Sequence, residues 1–203
     1  MCSSDLYSFS TAKGNINIHM SLPGRHNVMN ALAAAAVALV LDISAENIAS
    51  ALQAFSGVSG RLNIQAGLNG ARVIDDTYNA NPLSLNAAID VLTEMEGETF
   101  LVLGDMAELG TTSEALHFES GQHARRCGVS RLYALGDLSR NAVKGFGEGA
   151  KFFDSREELI DALTKSINES TTVLVKGSRS MAMEKVVNAL VLDKNNNNKQ
   201  GAN

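Results

Sequence analysis

Five short stretches concentrate the side chains able to do chemistry. In "GRHNVMNALAA", His26, Asn27 and Asn30 crowd the start of an otherwise apolar run. Asn27 and Asn30 are three apart and share one face of a helical turn. Each amide carries a donor and an acceptor, which suits the edge of a purine base; helix capping, the other habit of Asn, accounts for one of them. In "SGRLN", Arg61 follows a glycine break, where a guanidinium offers a phosphate a fixed fork of donors or is simply a linker residue. "VIDDTYNANPLSL" ends a strand on Asp75 and Asp76 and runs through Asn79 and Asn81 to Pro82. A strand-end carboxylate can accept from ribose hydroxyls, although turn and capping chemistry uses the same residue types. In "VLGDMAELG", Asp105 and Glu108 fit a metal pair, a general base, or acids favoured by a helix N-terminus. In "LVKGSRSMAME", Lys176, Ser178, Arg179 and Ser180 surround a glycine at a strand-to-helix junction. Backbone N–H groups and two cations there favour a carboxylate or phosphate, with capping by Ser178 as the plainer alternative.

These stretches need elements to hold them. Weak alternation over residues 6–20 predicts a hairpin turning at Lys13-Gly14-Asn15. An Ala-rich helix follows over 26–41, and a second opens at Ser44 and runs to about Phe55. "SGVSGR" then breaks the pattern, and a domain boundary is placed there. Beyond it, Asn69-Gly70 signals a second hairpin. Helices are expected from Pro82 to about Glu94 and over 111–127, 137–145, 155–168 and 179–192. Between them lie the apolar runs "TFLVLGD", "RLYALGD", "AKFFD" and "TTVLVKGS". Strand and helix alternating through short links predict an α/β fold, a mostly parallel sheet flanked by helices. Ligands bind at the C-terminal edge of such a sheet, where the polar stretches fall.

Composition narrows the function classes. The 203 residues are 45% apolar and 19% charged, with a net charge of −5 and 17 scattered Lys and Arg. No basic stripe marks a nucleic-acid binder. The apolar run from Ala31 to Leu41 is about half of the roughly 20 residues a membrane span needs, and no secretory leader is legible. Two cysteines, Cys2 and Cys127, form no disulfide framework, so a reducing cytoplasmic setting is expected. His117 and His123 are six apart, do not share a helix face, and read as surface residues rather than ligands. The common phosphate-loop, dinucleotide, zinc-protease and serine-hydrolase motifs are absent. The Asn-rich end, 193–203, is expected to be disordered.

Together "GRHNVMNALAA", "DDTYNANP", "LGDMAELG" and "VKGSRSMAMEKVV" resemble the Mur ligases over residues 9–192, and within them the branch that accepts D-alanyl-D-alanine. The resemblance implies the C-terminal part of the central ATP-binding domain over 1–56. A Rossmann-like C-terminal domain would follow over 57–192. It implies ATP-dependent joining of D-alanyl-D-alanine to UDP-N-acetylmuramoyl-tripeptide through an acyl phosphate, in peptidoglycan precursor synthesis. A monomer is expected, with neither nucleic acid nor membrane as partner. On this resemblance ATP would meet His26, Asn27, Asn30, Arg61 and Asp76. The dipeptide would meet Asn79, Asn81, Asp105, Lys176, Ser178 and Arg179. The phosphate loop and the Mg²⁺ ligands are expected before the start of this chain, so no catalytic residue or metal ligand is assigned within it. The chain alone is expected to be inactive. A non-catalytic nucleotide- or dipeptide-binding module of the same fold is the alternative.

Overall fold

The computed structural model describes residues 5–11, 14–20, 24–55 and 57–192, with the side chains of Asp5, Arg25 and His26 left aside. Lys13, Cys2 and the segment 193–203 lie outside the described residues. The chain divides into two compact units, Met1–Val58 and Ser59–Asn203.

The first unit opens with β1 (Asp5–Thr11) paired antiparallel to β2 (Gly14–Met20). Along β2, Ile16, Ile18 and Met20 are buried and their neighbours exposed, the period-2 signature of a sheet with one covered face. They pack with Phe9, with Ala31 and Ala35 of α1 (Arg25–Val40), and with Ile48 of α2 (Ala45–Ala54). Ser44 caps α2, its hydroxyl oxygen accepting the Asn47 N–H at 3.3 Å. α1 begins on Gly24 with no side-chain cap.

The second unit is a six-stranded sheet in the order β3-β4-β8-β5-β6-β7. Its strands are β3 (Asn63–Ala66), β4 (Arg72–Asp76), β5 (Glu98–Gly104), β6 (Arg131–Leu135), β7 (Ala150–Phe153) and β8 (Thr171–Lys176). Only β3 is antiparallel to its neighbour. β8, buried at every residue, lies between β4 and β5. A continuous apolar strand is what a parallel sheet covered on both faces requires.

Alternate residues feed two cores. Ile74, Leu101, Leu103, Leu132 and Leu174 pack against α3 (Pro82–Thr93), α4 (Ser113–Arg126) and α5 (Ser139–Phe146). Val73, Phe100, Val102, Val173 and Val175 face α6 (Arg156–Ser166) and α7 (Glu184–Leu190). α4 and α5 meet backbone to backbone. A Cβ on Gly121 would lie 2.0 Å from the Ala142 carbonyl oxygen, and one on Gly145 2.0 Å from that of Phe118.

The last helix is shorter than the expected 179–192. Arg179–Met181 form a 3₁₀ turn and Ala182 adopts a left-handed conformation at φ +48, so α7 starts only at Glu184. The hairpin expected around Asn69 and Gly70 is present: β3 and β4 pair antiparallel through a 3₁₀ segment, Leu68–Gly70. Among the described residues no helix is long and apolar enough to cross a membrane.

Candidate functional site

β5 leads to helices on one face of the sheet, whereas its neighbour β8 leads to α7 on the other. Chains that part in opposite directions leave a crevice at the strands' C-terminal ends. Three loops enclose a cleft of about 340 Å³ there, lined by Asn79–Asn81, Ala107–Leu109 and Ser178–Ser180. The volume is in the range of about 300–1,000 Å³ common for small-ligand pockets. Among its described lining residues Arg179 is the one cation and Glu108 the one carboxylate.

Behind the cleft, polar groups hold the scaffold. Asp75 is buried; its carboxylate accepts the Gly60 N–H at 3.1 Å and the Thr77 hydroxyl at 2.6 Å. Asp76 accepts the Leu62 N–H at 3.3 Å and is ion-paired with Lys176, its register partner on β8. The Lys176 ammonium, itself buried, also donates to the Asn79 carbonyl at 3.0 Å. The two aspartates thereby pin the residues on either side of Arg61, including Leu62 at the unusual φ of +51. Arg61 is exposed, its guanidinium stacked 4.4 Å above the centre of the Tyr78 ring.

Asp105 faces the next connection. Its carboxylate accepts the Ser139 N–H at 2.8 Å, at the start of α5, where negative charge is favoured. Gly136 makes room: at φ +106, a Cβ there would lie 2.5 Å from the Asp105 carboxylate. The Asp105 carbonyl accepts the Ser178 N–H at 2.9 Å, tying the two cleft loops together. The adjoining loop is fixed by His117, which is fully buried. Its Nε2 accepts the Met106 N–H at 2.9 Å, and its Nδ1, 2.6 Å from the Ser113 carbonyl oxygen, carries the proton. The surface placement expected for His117 is therefore corrected: its acceptor nitrogen is needed inside.

Asn81 is the N-cap of α3. Its side-chain oxygen accepts the Ser84 N–H at 2.8 Å and the Ser84 hydroxyl accepts the Asn81 N–H at 3.1 Å, a capping box. Asn79 is exposed and accepts the Ala80 N–H. The Ser178 and Ser180 hydroxyls are 3.2 Å apart. Arg179 is exposed and 3.5 Å from Glu184. In the first unit, Asn27 is half-buried and Asn30 exposed. Because Gly24 occupies the N-cap position, neither asparagine caps α1.

The model of the Mur ligase glutamate ligase domain matches residues 60–179, and that of the Mur ligase middle domain matches 2–38. The chain belongs to the Mur ligase family. It is 43% identical over 187 residues to the UDP-N-acetylmuramoyl-tripeptide–D-alanyl-D-alanine ligase of Escherichia coli, covering 91% of this chain and 41% of that enzyme. A crystal structure of MurF from Acinetobacter baumannii superposes with a TM-score of 0.83 at 34% identity, over 93% of this chain and 42% of that one. MurF of Thermotoga maritima, solved in complex with ADP, gives 0.79 at 25% identity, over 92% and 43%. The chain thus spans about two fifths of the length of the curated relatives it matches.

Within this Mur ligase chain the expected dipeptide residues separate into two groups. Asn79, Asn81, Ser178 and Arg179 line the cleft; Lys176 and Asp105 do not. Lys176 turns to Asp76 because a buried ammonium needs a counter-charge. Asp105 turns to α5 because Gly136 leaves space for it there. The strand-end acids Asp75, Asp76 and Asp105 do not form an oxygen cage for Mg²⁺: each is engaged by N–H, hydroxyl or ammonium groups. Among the described residues, the grouping of three potential ligands is Asp90, His123 and Cys127, and it contains a thiol.

Proposed function

We propose that this chain binds and orients D-alanyl-D-alanine and part of ATP for a ligase. That ligase joins the dipeptide to UDP-N-acetylmuramoyl-tripeptide in peptidoglycan precursor synthesis, and hence serves cell-wall growth and division in the cytoplasm. In the whole reaction, ATP would phosphorylate the tripeptide carboxylate. ADP would leave in that step; the dipeptide amine, once its ammonium has lost a proton, would attack the acyl phosphate, forming the amide and expelling inorganic phosphate. Mg²⁺ would be supplied by residues other than those described and would neutralise phosphate charge. The residues of this chain contribute positioning, which lowers the barrier by removing orientational freedom before reaction.

One observation carries the reading: a cleft at the strand switch point with a single cation and a single carboxylate among its described lining residues. A dipeptide is a zwitterion with one charge of each sign. Arg179 would take its carboxylate in a bidentate grip, Glu108 its ammonium, and the Ser178, Ser180, Asn79 and Asn81 groups its peptide unit. For the nucleotide, Asn27 and Asn30 would read the adenine edge. Arg61 would contact phosphate and the remaining lone pairs of Asp76 the ribose hydroxyls.

The test is titration of the isotopically labelled chain with D-alanyl-D-alanine, followed by amide chemical shifts. We expect shifts confined to Asn79–Asn81, Ala107–Leu109 and Ser178–Ser180. N-acetylated dipeptide, which lacks the ammonium, and the alcohol analogue, which lacks the carboxylate, should each bind at least about tenfold more weakly. Absence of shifts in these loops with D-alanyl-D-alanine itself, or equal binding of all three compounds, would sink the dipeptide reading.

A further inference from the structure

A second group of chemically able side chains sits at the other end of the second unit. In this fold each helix runs back against the strand before it, so helix C-termini gather at the edge opposite the cleft. At that edge Asp90 lies in the last turn of α3, and His123 and Cys127 close α4. His123 and Cys127 are four apart, on one helical face. One ligand atom from each of the three residues lies within 4.8 Å of the others. The Cys127 sulfur is 3.5 Å from His123 Nε2 and 4.0 Å from Nδ1. Zinc-class bond lengths of about 2.3 Å to sulfur and about 2.0–2.1 Å to nitrogen, at a tetrahedral angle, place S and N about 3.5 Å apart.

The surroundings favour a cation. Two helix C-termini direct partial negative charge at the spot. Asn86, one turn before Asp90 on the same face of α3, has a buried side-chain oxygen with no hydrogen-bond partner. Cys127 is a free cysteine, half-buried, and lies within reach of the Asp90 carboxylate. A carboxylate facing a thiol is unfavourable to the thiolate unless a cation is shared between them.

We propose that Asp90, His123 and Cys127 form a binding site for a borderline-soft divalent cation of the zinc class, joining the end of α3 to the end of α4. One sulfur, one nitrogen and one carboxylate oxygen are a donor set for zinc or cobalt rather than for magnesium or calcium. Three protein ligands leave a fourth position for water. The ion bridges two helices away from the cleft, so its effect is on the stability of this unit.

The experiment is titration of the 203-residue chain with Co²⁺ under reducing conditions, followed by absorption, then displacement with Zn²⁺. We expect one equivalent to bind, with the strong visible bands of tetrahedral cobalt and a near-ultraviolet thiolate-to-cobalt band. Cys127→Ser should abolish the thiolate band, and His123→Gln and Asp90→Asn should each weaken binding at least about tenfold. Cys2→Ser should change nothing. Zn²⁺ should raise Tm in the parent chain and not in Cys127→Ser, a comparison that holds even if the variant starts from a lower Tm. A titration with no thiolate band, an affinity unchanged in His123→Gln, or a band lost in Cys2→Ser would each overturn the site and leave a thiol–imidazole hydrogen bond.

Discussion

Two sets of polar residues share the C-terminal edge of the sheet, and they face opposite ways. Asp75, Asp76, Lys176, Asp105 and His117 point into the protein, each holding a backbone group or a counter-charge. Asn79, Glu108, Ser178, Arg179 and Ser180 line the cleft. The inward set fixes where the loops run; the outward set is what a ligand in the cleft meets. A charged residue at a strand end is therefore not by itself a binding residue. The groups with the most charge and the least exposure are the ones already spent on the scaffold.

Substitutions can break that division or sharpen it. Lys176→Met strands the Asp76 carboxylate, and urea unfolding should show a loss of about 3 kcal/mol. Asp76→Asn added to it should recover part of that loss, as expected for directly coupled partners. Gly136→Ala forces a Cβ into the Asp105 carboxylate at a positive φ, and should cost roughly 2 kcal/mol in the same assay. His117→Phe leaves the Met106 N–H buried and unpaired, for a loss of about 1–2 kcal/mol. Asn81→Ala removes the α3 cap for about 1 kcal/mol. At the small end, Arg179→Ala should change stability by less than about 0.5 kcal/mol, yet weaken D-alanyl-D-alanine binding at least about tenfold by calorimetry. If Arg179→Ala destabilised as much as Lys176→Met, or Lys176→Met bound dipeptide normally at full stability, the two sets would not be distinct.

Much of the architecture was legible because the second unit alternates apolar strands with periodic helices, and the polar stretches fell at strand ends where the topology gathers them. What one chain of letters could not show is which way each side chain turns. Lys176 and Asp76 sit 100 residues apart and become register partners only once β8 is known to lie beside β4. The direction of Asp105 depends on space left by Gly136, on a different strand connection. Helical spacing relates His117 to His123 but says nothing of the Met106 N–H in the adjoining loop, whose need for an acceptor draws His117 inside. The His123–Cys127 spacing was readable, but its third member, Asp90, comes from another helix. In the first unit the pattern alone favours capping over base reading for Asn27 and Asn30; Gly24 at the N-cap removes the capping role.

The position of β8 also sets an order in time. The strand that fills the middle of the sheet is the last to be synthesised, and β4 and β5 flank its place from much earlier in the chain. At about 5–20 residues per second, the hundred residues between Asp76 and Lys176 take about 5–20 s to emerge from a ribosome. From the emergence of β5 to the end of that interval two strand edges of a future parallel sheet stand unpaired, the kind of surface that recruits other chains. A nascent chain stopped a few residues before Thr171 would be a growing sheet with its centre missing, and its handling by chaperones, rather than its final stability, would decide how much of this protein a cell obtains.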